Sequence, residues 1–144
     1  MKVSDAIGAR KEIYFLQEDA TVHDAARYLR EKAVRAAGIK NAQGKLVGVI
    51  SQADICDKVA AENKCPAWMR VSEIMSTDLI TVRPDTLLDE ALRLMDKHGF
   101  YHLLIVDEKG QFQGMISVQD LLKIIASDEK ARADMFEAYI FPQR

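Results

Sequence analysis

A chain of 144 residues accommodates one compact domain or two short repeats, and at this size it can bury roughly two-thirds of its unfolded surface without disulfide or metal staples. Apolar residues at 49% and charged residues at 29% exclude a disordered chain, while 20 Lys and Arg against 22 Asp and Glu leave a net charge of −2 that argues against nucleic acid as the main partner. No apolar run approaches the roughly 18 residues needed to cross a bilayer, the opening MKVSDAIGARKE lacks the apolar stretch of a secretory leader, and two sparse cysteines, Cys56 and Cys65, suit a reducing cytosol.

The chain reads as one unit used twice. A shift of 66 positions lays residues 16–60 on 82–126 without a gap, and ten of the 45 pairs are identical. Six of the ten lie between Ile39 and Asp54, so the likeness is concentrated where one hairpin leads into one helix. The openings VSDAI at 3–7 and VSEIM at 71–75 echo each other at a shift of 68.

Each unit is predicted as strand, helix, strand, strand, helix. The first strand is Ile13–Gln17, with Leu79–Val82 as its counterpart; both are rich in β-branched or aromatic residues. A helix follows, with Val22, Ala25, Ala26 and Leu29 at the spacing of a buried stripe, repeated as Leu88, Ala91, Leu92 and Met95. Thr21 with Asp24 and Thr86 with Asp89 both fit helix-start chemistry, one register position apart. Hairpins come next: Ala37–Lys40 with Leu46–Ile50 around Gly44, and Leu103–Val106 with Phe112–Ile116 around Gly110. The second helices run over Gln52–Asn63 and Val118–Ala126, and NKCPAWMR joins the repeats with Pro66 as the helix stop. Cys56 falls on the apolar face of its helix and reads as core, and Trp68 is expected to close over the core. A further helix spans 128–140, and its stripe of Met135, Phe136, Tyr139 and Ile140 fits either a lid on its own chain or a dock for another subunit.

The candidate chemistry recurs at one place: Gly48-Val49-Ile50-Ser51-Gln52-Ala53-Asp54 and Gly114-Met115-Ile116-Ser117-Val118-Gln119-Asp120. A strand here ends directly in a helix, whose first N–H groups and dipole favour an anion such as phosphate. The serine hydroxyl adds a hydrogen bond, the aspartate one turn later can accept from a vicinal diol, and the glycine lets a flat base approach the backbone. Ser-x-x-Asp is equally a capping box that satisfies the helix's own donors. His23, His98 and His102 form no metal box with the cysteines, and no base–nucleophile pair can be assembled.

The βαββα unit, its duplication, the helix opening Thr21-Val22-His23-Asp24-Ala25 and the Gly-apolar-apolar-Ser-x-x-Asp element together resemble cystathionine-β-synthase (CBS) domains, two of which form a CBS pair or Bateman module. The resemblance covers about residues 1–126 and implies a stand-alone pair without an attached enzyme or channel. The implied fold is α+β: two pseudo-twofold related βαββα repeats, each a small three-stranded sheet flanked by helices, plus a C-terminal helix. The expected division is 1–63 for repeat 1, 64–70 for the linker, 71–127 for repeat 2 and 128–144 for the C-terminal helix and tail.

The implied function is a non-enzymatic regulatory module that binds an adenosyl compound (AMP, ADP, ATP, NAD(H) or S-adenosylmethionine) in the cleft between the repeats and signals by conformational change. The alternative is a structural or protein-interaction pair with vestigial, unoccupied clefts. By resemblance, Ser51 and Ser117 contact phosphate, and Asp54 and Asp120 hold ribose. Tyr14, Ala37 and Gly38 line one adenine slot, and Ile80 and Leu103 the other. Where many members of the family carry Arg before the aspartate, this chain has Ala53 and Gln119, so countercharge would come from Arg35 or His102. The implied setting is a cytoplasmic homodimer acting on an unidentified protein target, with no cofactor beyond the regulatory ligand and no membrane.

Overall fold

The structure is a computed structural model that describes residues 1–8, 12–127 and 129–140. Its elements follow the chain as α1 (Val3–Ile7), β1 (Phe15–Gln17), α2 (Val22–Lys32), β2 (Ala36–Lys40), β3 (Leu46–Ser51), α3 (Gln52–Ile55) and a π-helical turn (Cys56–Ala60). Two 3-10 turns (Pro66–Trp68 and Val71–Glu73) lead to β4 (Thr81–Val82), α4 (Leu88–His98), β5 (His102–Val106), β6 (Phe112–Ser117), α5 (Val118–Ser127) and α6 (Glu129–Ile140). The strands form two three-stranded sheets, β1-β2-β3 and β4-β5-β6, with the first pair of each parallel and the second antiparallel. This is the duplicated mixed architecture that the repeat predicts.

Matching chemistry makes the two hairpins. The Asn41 side-chain oxygen accepts from the N–H groups of Gln43 and Lys45, and Asp107 accepts likewise from Lys109 and Gln111. Each turn closes on a glycine at φ +78°, where an L side chain would be strained. Both hairpins also slip register at the same step, Ile39/Lys40 and Ile105/Val106.

The chain divides into two compact units, Tyr14–Leu79 and Met1–Ile13 together with Ile80–Arg144. The opening segment of each repeat thus belongs to the unit built mainly from the other repeat. In the second unit Val3 N–H donates to the Thr86 carbonyl and Leu88 N–H to that of Met1; in the first, Val71 N–H donates to Ala20 and Val22 N–H to Met69. Val3 and Val71 are completely buried at these seats, and each such burial contributes about 1.5–3 kcal/mol. The first core gathers Val22, Leu29, Ile39, Ile50 and Val71; the second gathers Val3, Leu92, Leu103, Ile116 and Met135.

Several local expectations are corrected. β1 starts at Phe15 rather than Ile13, because the Phe15 N–H turns to the Tyr28 hydroxyl (3.2 Å) while the Tyr14 carbonyl still accepts from Gly38. β4 is two residues long rather than four: it ends at Val82 as expected but starts at Thr81, and of the two residues lost Ile80 still accepts from Leu104 N–H through its carbonyl. Thr21 caps α2 as expected, but Thr86 and Asp89 do not cap α4. That helix starts after Leu87, the counterpart of Thr21, and the Thr86 hydroxyl accepts from Arg83 N–H instead.

The helix expected over Gln52–Asn63 widens after Ile55 into a π turn, where Ala61 N–H reaches the Cys56 carbonyl at 2.8 Å. Cys56 is exposed, not core, because Ile55 and Val59 take the inward positions and Cys56 lies about 100° round the helix from Ile55. Trp68 does not close over the core either. It is 88% exposed, and Met69, next in the chain, packs there instead.

In α6, Met135 and Ala138 bury against their own unit while Phe136, Tyr139 and Ile140 stay exposed. The tail expected over 128–144 includes positions 128 and 141–144, which lie outside the described residues. Among the described residues no helix is long and apolar enough to cross a membrane.

Candidate functional site

Both Ser-x-x-Asp elements sit where the sequence places them, at the step from β3 into α3 and from β6 into α5. Each forms a closed capping box. Ser51 N–H donates to Asp54 Oδ2 at 3.0 Å, the Ser51 hydroxyl donates to the same oxygen at 3.1 Å, and Asp54 N–H donates to Ser51 Oγ at 3.2 Å. The second copy repeats this with Ser117 and Asp120 at 2.8, 3.0 and 3.2 Å. In each box both of the bonds that the aspartate side chain accepts fall on Oδ2.

The helix N-termini are further satisfied by backbone. Gln52 N–H donates to the Arg35 carbonyl and Val118 N–H to the Tyr101 carbonyl, each at 3.0 Å. Two of the first three donors of each helix are therefore engaged by the chain's own atoms, which reduces the pull on an anion expected from the dipole.

Around the boxes the predicted lining residues divide by burial. Ala37 and Leu103 are completely buried with their side chains in the two cores, so they offer a ligand nothing but backbone. Gly38 is buried mid-sheet and its N–H is spent on the Tyr14 carbonyl. Tyr14 and Ile80 are half-buried against their respective cores. Arg35 is exposed at the entry to β2, and His102 is half-buried as the first residue of β5.

Two residues escaped the sequence reading. Lys58 places its ammonium 3.0 Å from Asp54 Oδ1 and donates to the Ile74 carbonyl at 2.8 Å. Its i+4 spacing from Asp54 was the available signal. Tyr101, the counterpart of Arg35, supplies the second capping carbonyl and exposes its ring. Gly48 also plays another part than expected: a Cβ there would stand 2.5 Å from the Met75 sulfur and 3.1 Å from the Ser76 carbonyl oxygen, so the room it leaves serves the chain's own segment. Gly114 instead adopts φ +138°, and no described residue lies within 4 Å of where its Cβ would stand. Among the described residues no group of three His, Cys, Asp or Glu could hold a metal ion.

Comparison with known proteins places this geometry. A family model described as CBS domain matches residues 3–61 and 71–127. An uncharacterized protein of Methanocaldococcus jannaschii is 34% identical over 116 residues, covering 81% of this chain and 37% of that protein; the chain thus spans well under two-thirds of that curated relative's length. A solved protein with CBS domains from Burkholderia ambifaria is similar at a TM-score of 0.83 and 28% identity, covering 90% of this chain and 96% of that one. A CBS domain pair in complex with 5′-methylthioadenosine and S-adenosyl-L-methionine is similar at a TM-score of 0.76 and 26% identity, covering 86% and 98%.

Proposed function

This chain belongs to the CBS-domain family, and on that footing we propose that it is a non-catalytic sensor of an adenosyl compound, held at its Ser-x-x-Asp junctions. The observation that carries the reading is that Ser51 with Asp54 and Ser117 with Asp120 recur at the same strand-to-helix step with the same bonds. A similar pair bound to S-adenosyl-L-methionine and 5′-methylthioadenosine supports the ligand class. The aspartates accept from ribose hydroxyls, while the serines face the phosphate or its neutral replacement. Each serine hydroxyl is engaged with its aspartate in a helix cap, an arrangement that supports a binding role.

The response follows from differential affinity. A ligand that prefers one arrangement of the chain populates it, and a protein target reads the change. We place this chemistry in the cytosol, as a homodimer; two exposed free thiols suit that compartment.

The closed boxes favour a second reading, in which capping is their whole role and the pair is an interaction scaffold. Thermal unfolding separates the two. A ligand at about ten times its Kd adds about 1.4 kcal/mol, a rise of roughly 3–6 °C at this size. Millimolar AMP, ATP, NADH and S-adenosylmethionine are tested on wild type, Asp54→Ala and Asp120→Ala. The sensor reading expects a shift with at least one compound, abolished by at least one substitution. It also expects an unliganded loss within about 1–2 kcal/mol, the worth of a cap. A flat response across the panel favours the scaffold reading.

A further inference from the structure

The carboxylate of Asp54 is nearly full. Its Oδ2 accepts from the Ser51 N–H and from the Ser51 hydroxyl, and the Lys58 ammonium stands 3.0 Å from its Oδ1. Among the described residues, three donors thus share a group that offers roughly four acceptor positions. Asp54 is half-buried, with its side chain 12% exposed, whereas the Lys58 side chain is 45% exposed. The same ammonium donates to the Ile74 carbonyl at 2.8 Å, so one cation ties the carboxylate to the segment that follows the second 3-10 turn. That segment is seated at successive residues: Ile74 is buried in the core, Met75 fills the room beside Gly48, and Ser76 exchanges both backbone bonds with Val49 of β3, at 2.8 and 3.0 Å. Shortly beyond Ser76, at Leu79, the first unit ends.

Resting on the proposed adenosyl reading, we infer that Lys58 is the positioning residue that carries occupancy of Asp54 to the chain leaving the first unit: a ribose diol displaces its ammonium, and the 74–76 segment loosens on β3. The count of donors decides this. A vicinal diol brings two hydroxyls to a carboxylate with about one acceptor position left, so one of the present donors must leave. The Ser51 N–H is fixed by the backbone step from β3 into α3, and the Ser51 hydroxyl is held in the box by accepting from Asp54 N–H at 3.2 Å. Lys58 has a long, half-exposed stem that can turn its ammonium into water. Once off Asp54, the ammonium loses the partner that fixed it beside Ile74, and its bond to that carbonyl goes with it. A single hydroxyl fits the remaining position and leaves Lys58 where it is. By linkage, a ligand that opens this contact binds more tightly where the contact is already gone.

The test compares adenosine with 2′-deoxyadenosine, and AMP with 2′-deoxy-AMP, each pair alike except for the second ribose hydroxyl. Backbone hydrogen exchange at Val49 and Ser76, and equilibrium binding, are measured on the full chain as wild type and as Lys58→Met. Without ligand, Lys58→Met is expected to exchange at least about threefold faster than wild type at both amides. At matched occupancy adenosine and AMP quicken wild type by a similar factor and the 2′-deoxy compounds do not, while Lys58→Met responds to none of them. Lys58→Met binds the ribosyl compounds about two- to fivefold more tightly than wild type. Equal exchange in the two ligand-free proteins, or wild-type exchange that adenosine and AMP leave unchanged or slow, overturns the inference. So does equal quickening by the 2′-deoxy compounds, or weaker binding by Lys58→Met. Each of these results, obtained with binding intact, leaves the sensor reading standing. If neither protein binds any of the four compounds or S-adenosylmethionine, the adenosyl reading falls and the coupling falls with it.

Discussion

Gly48 and Met75 occupy one space: a Cβ added to Gly48 would stand 2.5 Å from the Met75 sulfur and 2.8 Å from its Cγ. Gly48 is fixed by this neighbour and not by its own backbone, whereas Gly114, its repeat counterpart, is fixed by a positive φ. Gly48→Ala is therefore expected to cost about 1–3 kcal/mol by overpacking. Met75→Ala in that background should recover much of the loss, although the Ser76 carbonyl at 3.1 Å keeps the recovery incomplete. Gly114→Ala should be destabilising whatever stands at position 75. Chemical denaturation of the single and double variants gives the coupling, and additivity of Gly48→Ala with Met75→Ala would refute the assignment.

Much of the fold was legible because the signals it needs are local. Alternation, the helical stripe of Val22, Ala25 and Leu29, and the turn chemistry at Gly44 and Gly110 each act within a few residues. The Ser-x-x-Asp boxes were legible for the same reason. What stayed hidden depends on contacts between distant segments. No local pattern says that Val3 joins the core of Leu92 or Val71 that of Ile50, that Met75 fills the room beside Gly48, or that Lys58 reaches Ile74. At Ala37 and Leu103 the pleat turns the side chains into the two cores, which strand position alone does not tell.

The errors at Cys56 and Trp68 give a direct test. Both cysteines are exposed, so Ellman's reagent should titrate two thiols per folded chain without denaturant, at rates within an order of magnitude of each other. Trp68, the single tryptophan, should be quenched by iodide nearly as well in the folded as in the unfolded chain. A protected thiol or a shielded indole would mean that this surface is covered in solution.

Helix α6 turns two faces to different surroundings, and the faces should respond differently to truncation. Met135 is 2% exposed in the core of the second unit, so Met135→Ala is expected to cost about 2–5 kcal/mol. Phe136 is 63% exposed, and Phe136→Ala should change the stability of the isolated chain by no more than about 0.5 kcal/mol. A large loss at Phe136 that grows with protein concentration would instead reveal a partner subunit on this face, and sedimentation at two concentrations distinguishes the cases.

The last contrast is between the two first helices of the repeats. Thr21 caps α2, with Asp24 N–H donating to its Oγ1 at 3.0 Å and Thr21 N–H donating to Asp24 Oδ2 at 3.3 Å. Leu87, its counterpart on α4, caps nothing and is half exposed, while Glu90 already stands where the third residue of a box belongs. Thr21→Ala should lose about 1 kcal/mol and Leu87→Thr should gain up to about 1 kcal/mol, both read by denaturation at neutral pH. The hydrogen bond with the Thr21 side chain, then that with its backbone, holds the Asp24 carboxyl below its ordinary 3.8. Because the folded value is the depressed one, the contribution of Asp24 is whole above 3.8 and is lost as the pH falls through the folded value. The difference between wild type and Thr21→Ala should accordingly be constant from neutral pH down to about 4 and narrow below it, since a protonated Asp24 no longer gains from the threonine. A gap that widens on acidification would show that the pair acts through something other than the ionised box.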